Sequence, residues 1–128
     1  MGNERTHASQ VPNPRHIAAS YGPIEAGPEE LIGQIQNLMW KGVGIVRTGT
    51  GLQRAIHHLE KLQPRLVNPH TRRAFRATNL LTAALMVARS ALAREDSRGA
   101  HYRMDHPFPN DARFLKHSLV KGGAIQFA

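Results

Sequence analysis

From residue 29 to about residue 96, apolar side chains recur at helical spacing. Leu31, Ile35, Leu38, Met39, Val43 and Val46 form one stripe, flanked by Ile32 and Ile45, which predicts an amphipathic helix over Glu29–Arg47. Pro28-Glu29-Glu30 opens it: proline suits the first turn, and carboxylates there face the positive end of the helix dipole. Gly33, Gly42 and Gly44 weaken it by up to about 1 kcal/mol each relative to alanine, which points to close approach of a neighbouring backbone. Thr48-Gly49-Thr50-Gly51 reads as a break, with Thr50 as N-cap of a second helix. Leu52, Ala55, Ile56, Leu59 and Leu62 share one face of that helix, and Pro64 ends it. A third and longest helix is predicted from Thr71 to about Asp96, with no Gly or Pro inside. Its expected buried face carries Phe75, Leu81, Leu85, Ala88 and Leu92, with Ala74, Ala77, Ala84 and Ala91 permitting close packing. Ser97-Arg98-Gly99 terminates it, with Gly99 as the stop.

The flanks differ. Residues 1–27 carry Pro12, Pro14, Pro23, Gly22 and Gly27 and read as an extended or disordered linker. After Gly99, Asp105-His106-Pro107-Phe108-Pro109-Asn110-Asp111 is rich in turn residues. His117–Val120 and Ala124–Phe127 suggest a short hairpin around Lys121-Gly122-Gly123. The expected fold is therefore all-α: an antiparallel three-helix bundle with irregular N- and C-terminal arms. The segments are 1–27 (linker), 28–100 (bundle) and 101–128 (loop-rich tail).

Composition narrows the function. The chain has 128 residues, enough for one domain, and no cysteine, which excludes disulfide scaffolds, Cys-ligated zinc and thiol chemistry. No apolar run approaches the ~20 residues that span a bilayer, and Met1–Gln10 has no secretory h-region. A soluble protein of cytoplasmic type is expected, with no membrane contact. Lys and Arg outnumber Asp and Glu by 17 to 9, and such a balance first suggests nucleic acid. Yet none of the seven aromatics (Trp40, two Tyr and four Phe) alternates with basic residues as a stacking platform would require. A small basic nucleic-acid-binding module therefore rests on charge alone and is set below the structural reading. Arg72, Arg73 and Arg76 crowd one helix start, an unfavourable place for cations, which fits either an acidic partner or simple solvation.

Chemistry-bearing constellations are sparse. His57 and His58 are adjacent and so diverge on their helix, and His101 and His106 flank Asp105 within a loop; neither arrangement prepares a metal site. Gly-x-Gly occurs at Gly42–Gly44 and Gly49–Gly51 without the strand–turn–helix context of a dinucleotide fingerprint. No catalytic, cofactor-binding or metal-ligating residue is assigned.

Two segments carry a resemblance. Leu38-Met39-Trp40-Lys41-Gly42-Val43-Gly44-Ile45-Val46-Arg47-Thr48 and Ala93-Arg94-Glu95-Asp96-Ser97-Arg98-Gly99-Ala100-His101-Tyr102-Arg103-Met104-Asp105-His106-Pro107 resemble the C-terminal helical domain of the L-aspartate oxidases. These belong to the succinate dehydrogenase/fumarate reductase flavoproteins. The second segment is shared across that family, whereas the first leans toward the oxidases. Asp96 departs from the family's usual Glu, and His106 from its usual aromatic residue. The resemblance implies a three-helix bundle within an enzyme that oxidises L-aspartate to iminoaspartate with FAD, for NAD biosynthesis. The equivalent domain of a succinate dehydrogenase or fumarate reductase is the alternative. It also implies that FAD and substrate are held by a separate flavin-binding domain, so this chain is expected to hold no cofactor and to be inactive alone. Arg47, Ser97, Arg98, Gly99, His101, Arg103 and Asp105 are expected either to brace the turn after the third helix or to contact the flavin-binding domain.

Overall fold

A computed structural model describes residues 27–128. The linker expected over residues 1–27 thus lies, apart from Gly27, outside the described residues. Three helices dominate: α1 (Pro28–Val43), α2 (Gly49–Glu60) and α3 (Arg72–Ala93). A two-residue strand, β1 (Val46–Arg47), lies between α1 and α2, and a 3-10 turn (Gln63–Leu66) follows α2. After α3 come β2 (Tyr102–Arg103), a one-turn helix α4 (Asp111–Phe114), β3 (Ser118–Lys121) and β4 (Ala124–Phe127). The fold is all-α with small strand elements, as the apolar spacing indicates.

The three helices share one core. Leu31, Ile32, Ile35 and Val43 of α1 meet Leu52, Ala55, Ile56 and Leu59 of α2, and Ala77, Leu81, Ala84, Leu85, Ala88 and Ala91 of α3. Leu62 and Leu66 close its far end. Alanines dominate the α3 face, so the helices pack closely there. Gly42 belongs to the same logic: a Cβ on it would stand 2.7 Å from the Ala55 Cβ, closer than carbon atoms tolerate. Gly33 has open space around it, so close approach explains only part of the glycine content of α1.

Several boundaries differ from expectation. Helix α1 stops at Val43, because Val46–Arg47 is drawn into a parallel pair with Tyr102–Arg103; residues distant in sequence override the apolar period. Thr48, not Thr50, caps α2, its hydroxyl accepting from Gly51 N at 3.0 Å. Helix α3 ends at Ala93, and Gly99 (φ 56°) lies instead in a separate turn between Arg98 and His101. Positive φ at the first central residue alone is the type II′ pattern. Phe75 is exposed rather than buried: it falls on the side of α3 opposite the buried Ala77, Ala84 and Ala88. The hairpin forms, its turn made by Gly122 and Gly123, both at positive φ (57° and 83°), as a two-residue type I′ connection demands.

Candidate functional site

In an antiparallel bundle, the C-terminus of α1, the N-terminus of α2 and the C-terminus of α3 fall at one end. Helix ends leave unpaired carbonyls and N–H groups, and here side chains from the segment after α3 satisfy them. Arg103 is the centre. Its side chain is 3% exposed, and its Nη1 donates to the carbonyls of Ala91 (3.1 Å), Leu92 (3.0 Å) and Arg94 (3.1 Å), the closing turn of α3. Its Nε and Nη2 donate to Asp105 Oδ1 (2.8 Å) and Oδ2 (2.7 Å), the bidentate fork that only arginine makes. Asp105 Oδ2 also accepts from Gly49 N, at the start of α2, at 2.9 Å. One ion pair thus places a cation on the negative end of α3 and an anion on the positive end of α2. Gly49 is required there, since a Cβ would stand 2.8 Å from Asp105 Oδ2. The Arg103 donors hold the Asp105 carboxyl well below the usual carboxylate range; slight burial opposes this and the Gly49 N–H reinforces it.

Arg47 performs the same service for α1. Its Nε donates to the carbonyls of Val43 (3.2 Å) and Gly44 (2.7 Å), and its Nη1 lies 2.6 Å from His101 Nδ1. Arginine has no acceptor, so His101 Nδ1 accepts, which leaves its Nε2–H to donate to the Arg94 carbonyl at 3.1 Å. His101 is therefore neutral in this geometry. Burial pushes its imidazole pKa down; the Arg94 carbonyl opposes this, and the nearby charges of Arg47, Arg103 and Arg94 add to it.

Ser97 fixes the loop. Its buried hydroxyl accepts from Arg103 N at 2.8 Å and donates to the His106 carbonyl at 2.8 Å. Asp96, fully buried, accepts from Asn110 N and Arg98 at 3.3 Å each, and Arg98 also pairs with Asp111. Gly99 makes no side-chain contact; its positive φ lets the chain reverse between Arg98 and His101. All seven residues singled out in the sequence therefore meet at one end of the bundle.

Three contributors escape a reading by motif. Arg94 looks like a surface cation, yet it donates to the carbonyls of Phe114 (2.8 Å) and Lys116 (2.6 Å) and its guanidinium lies 5.2 Å from the centre of the Phe127 ring. It ties the tail hairpin to α3. Helix α4 is capped by Asn110, whose side chain accepts from Arg113 N at 3.2 Å; Asn110-Asp111 is a cap signal that could have revealed it. The β1–β2 pair has no sequence signal at all.

The surface around this polar knot is apolar. Trp40 (84% exposed) stands in the last turn of α1, Ile45 and Val46 in the connection to α2, Tyr102 and Met104 on and beside β2, and Phe108 in the next loop. Among the described residues no group of His, Asp and Glu is arranged to hold a metal ion, and no helix is long and apolar enough to cross a membrane. At the Gly49–Gly51 helix start, the Gly49 and Gly51 N–H groups are already taken by Asp105 and Thr48.

The described geometry matches known proteins. Residues 33–127 match the family described as "Fumarate reductase flavoprotein C-term". An L-aspartate oxidase 2 of Ralstonia nicotianae is 40% identical over 78 residues, covering 59% of this chain and 14% of the relative. A fumarate reductase flavoprotein subunit of Helicobacter pylori is 32% identical over 102 residues, covering 71% of this chain and 14% of the relative. Among solved structures, the FrdA chain of E. coli quinol fumarate reductase superposes with a TM-score of 0.66 at 26% identity, covering 89% of this chain and 22% of that chain. The chain spans only about a seventh to a fifth of the length of such relatives. Oxidases and reductases stand equally near. Sequence, fold and coverage agree that this chain belongs to the succinate dehydrogenase/fumarate reductase flavoprotein family, as a C-terminal domain of that family.

Proposed function

We propose that this chain is the C-terminal helical domain of an FAD-dependent L-aspartate oxidase, acting in the cytoplasm, and that it serves by docking on the flavin-binding domain. The observation that carries the docking is an asymmetry between the two ends of the bundle. Among the described residues, the knot end exposes Trp40, Ile45, Val46, Tyr102, Met104 and Phe108, whereas the opposite end exposes Val67 and Phe75 among large apolar side chains. Large apolar side chains left exposed at one end suit a protein contact. The knot gives that surface a fixed shape, because Arg47, His101, Arg103 and Asp105 hold the backbones that bear it. FAD and substrate belong to the flavin-binding domain, and the parent reaction would be oxidation of L-aspartate to iminoaspartate. The stretch from Met39 to Thr48, which resembles the oxidases more than the dehydrogenases, supports aspartate over succinate.

The test mixes this chain with an L-aspartate oxidase truncated before its helical domain. A 1:1 complex that retains FAD and regains aspartate oxidation is expected. No complex overturns the docking, and tighter complementation of a fumarate reductase flavoprotein truncated at the same place overturns the substrate reading.

A further inference from the structure

Among the described residues the side-chain carboxylates are all engaged. Arg73, Arg89, Arg98, Arg103 and Arg113 pair with Glu29, Glu60, Asp96 and Asp111, Asp105, and Glu95. Glu30 accepts from Gln34. A group of cations on one concave surface has no such complement. It is the outer groove between α1 and α2, facing away from α3. One wall carries Gln34, Asn37 and Lys41 of α1; the other carries Arg54 and His58 of α2, with Lys61 just beyond its end. These positions recur at i, i+3/i+4 and i+7, so each wall is one stripe of its helix. Leu38, Gly42, Gly51 and Ala55 form the floor, and the Gly42–Ala55 approach narrows it. No carboxylate lines it, and Lys41, Arg54 and Lys61 form no ion pair among the described residues.

We propose that the α1–α2 groove is a docking surface for an acidic protein segment, an acidic helix face or an acidic extended peptide of a partner chain or domain. Charge complementarity selects the partner: every polar wall residue donates hydrogen bonds, and the lysine and arginine heads are free to move onto carboxylates. The concave floor of small residues admits side chains of an approaching backbone. A nucleic acid suits the groove less, since no Trp, Tyr or Phe lines it for bases to stack upon. The inference is independent of the flavin-domain docking, which uses the knot end.

The test is an amide NMR titration of the chain with a synthetic Glu/Ala helical peptide, alongside a Lys/Ala peptide and a single-stranded oligonucleotide. Saturable shifts confined to Gln34–Gly42 and Gly51–Leu62 are expected with the acidic peptide, weakening with salt. Arg54→Glu with Lys61→Glu should weaken binding about tenfold or more. Arg72→Glu with Arg76→Glu, reversing two exposed cations of α3, should leave it within about twofold of the unmodified chain. Neutral Arg54→Gln with Lys61→Gln repeats the test without like-charge repulsion, and unchanged melting curves certify folding. Equal losses from both reversed pairs would mean attraction by net charge alone and overturn the proposal, as would shifts outside the groove or tighter binding of the oligonucleotide there.

Discussion

The bundle core and the polar knot are adjacent and hold the same helices together, yet by opposite means. The core uses apolar side chains that any similar shape could replace; Leu59, Leu52 and Ile35 are fully buried and make no directional bond. The knot uses single atoms in fixed places: one guanidinium reaches three carbonyls and one carboxylate. Burial is non-directional and tolerant of shape-preserving change. A buried fork is neither, because removing one partner strands the others.

The largest effects should come from Leu59→Ala and from Arg103→Ala, which leaves three carbonyls and Asp105 without their donor. For Arg103→Ala a loss of about 3 kcal/mol is expected in denaturant unfolding, the low end for a broken buried pair because Asp105 is partly solvated. Arg103→Lys should recover little, since an ammonium cannot make the fork. Leu59→Ala should cost about 2–5 kcal/mol, as for a fully buried leucine. The sharper contrast is Leu59→Met, which should cost less than about 1.5 kcal/mol. If Arg103→Lys were as mild as Leu59→Met in chemical unfolding, the distinction between the two regions would collapse. Ser97→Ala, which strands the Arg103 N–H, should cost about 1–3 kcal/mol by the same assay.

Smaller still is the pH response of the knot. His101 has a lowered folded pKa, so the unfolded chain binds the proton more readily. The stability contributed by neutral His101 is complete above the ordinary imidazole value of about 6.5 and falls as pH drops below it. Asp105 has the same sign lower down: its contribution is present above the ordinary carboxylate range and is lost as pH falls through its depressed value. Melting temperature should therefore decline from pH 7 to pH 5, and His101→Gln should flatten that slope. An unchanged slope would remove His101 from the knot's energetics. Trp40→Ala should be the mildest, within about 0.5 kcal/mol in the same melts, because the side chain is exposed.

The same contrast explains what the sequence could disclose. Period-3.6 spacing of Leu31, Ile35, Leu52, Leu59, Leu81 and Leu85 marks the core, since burial follows local periodicity. Arg47, Arg98, His101, Arg103 and Asp105 were legible only through their resemblance to a family segment. Nothing in their spacing tells that Asp105 reaches Gly49 or that Arg47 reaches His101, pairs 56 and 54 residues apart. The end of α1 follows the same rule: Val46 continues the apolar stripe, but its pairing with Tyr102 takes it out of the helix. Phe75 differs for another reason: two residues before the buried Ala77, it sits on the far side of α3 from the core.

The central claim is that the knot end is the surface through which this chain meets a flavin-binding domain. Trp40 is the chain's one tryptophan and stands 84% exposed at that end. Labelling it with 5-fluorotryptophan gives a single fluorine NMR signal to follow as a truncated L-aspartate oxidase, lacking its helical domain, is added. The signal should move and lose its sensitivity to solvent deuteration as the complex forms. A complex that leaves the Trp40 signal unmoved and solvent-sensitive would contradict the claim.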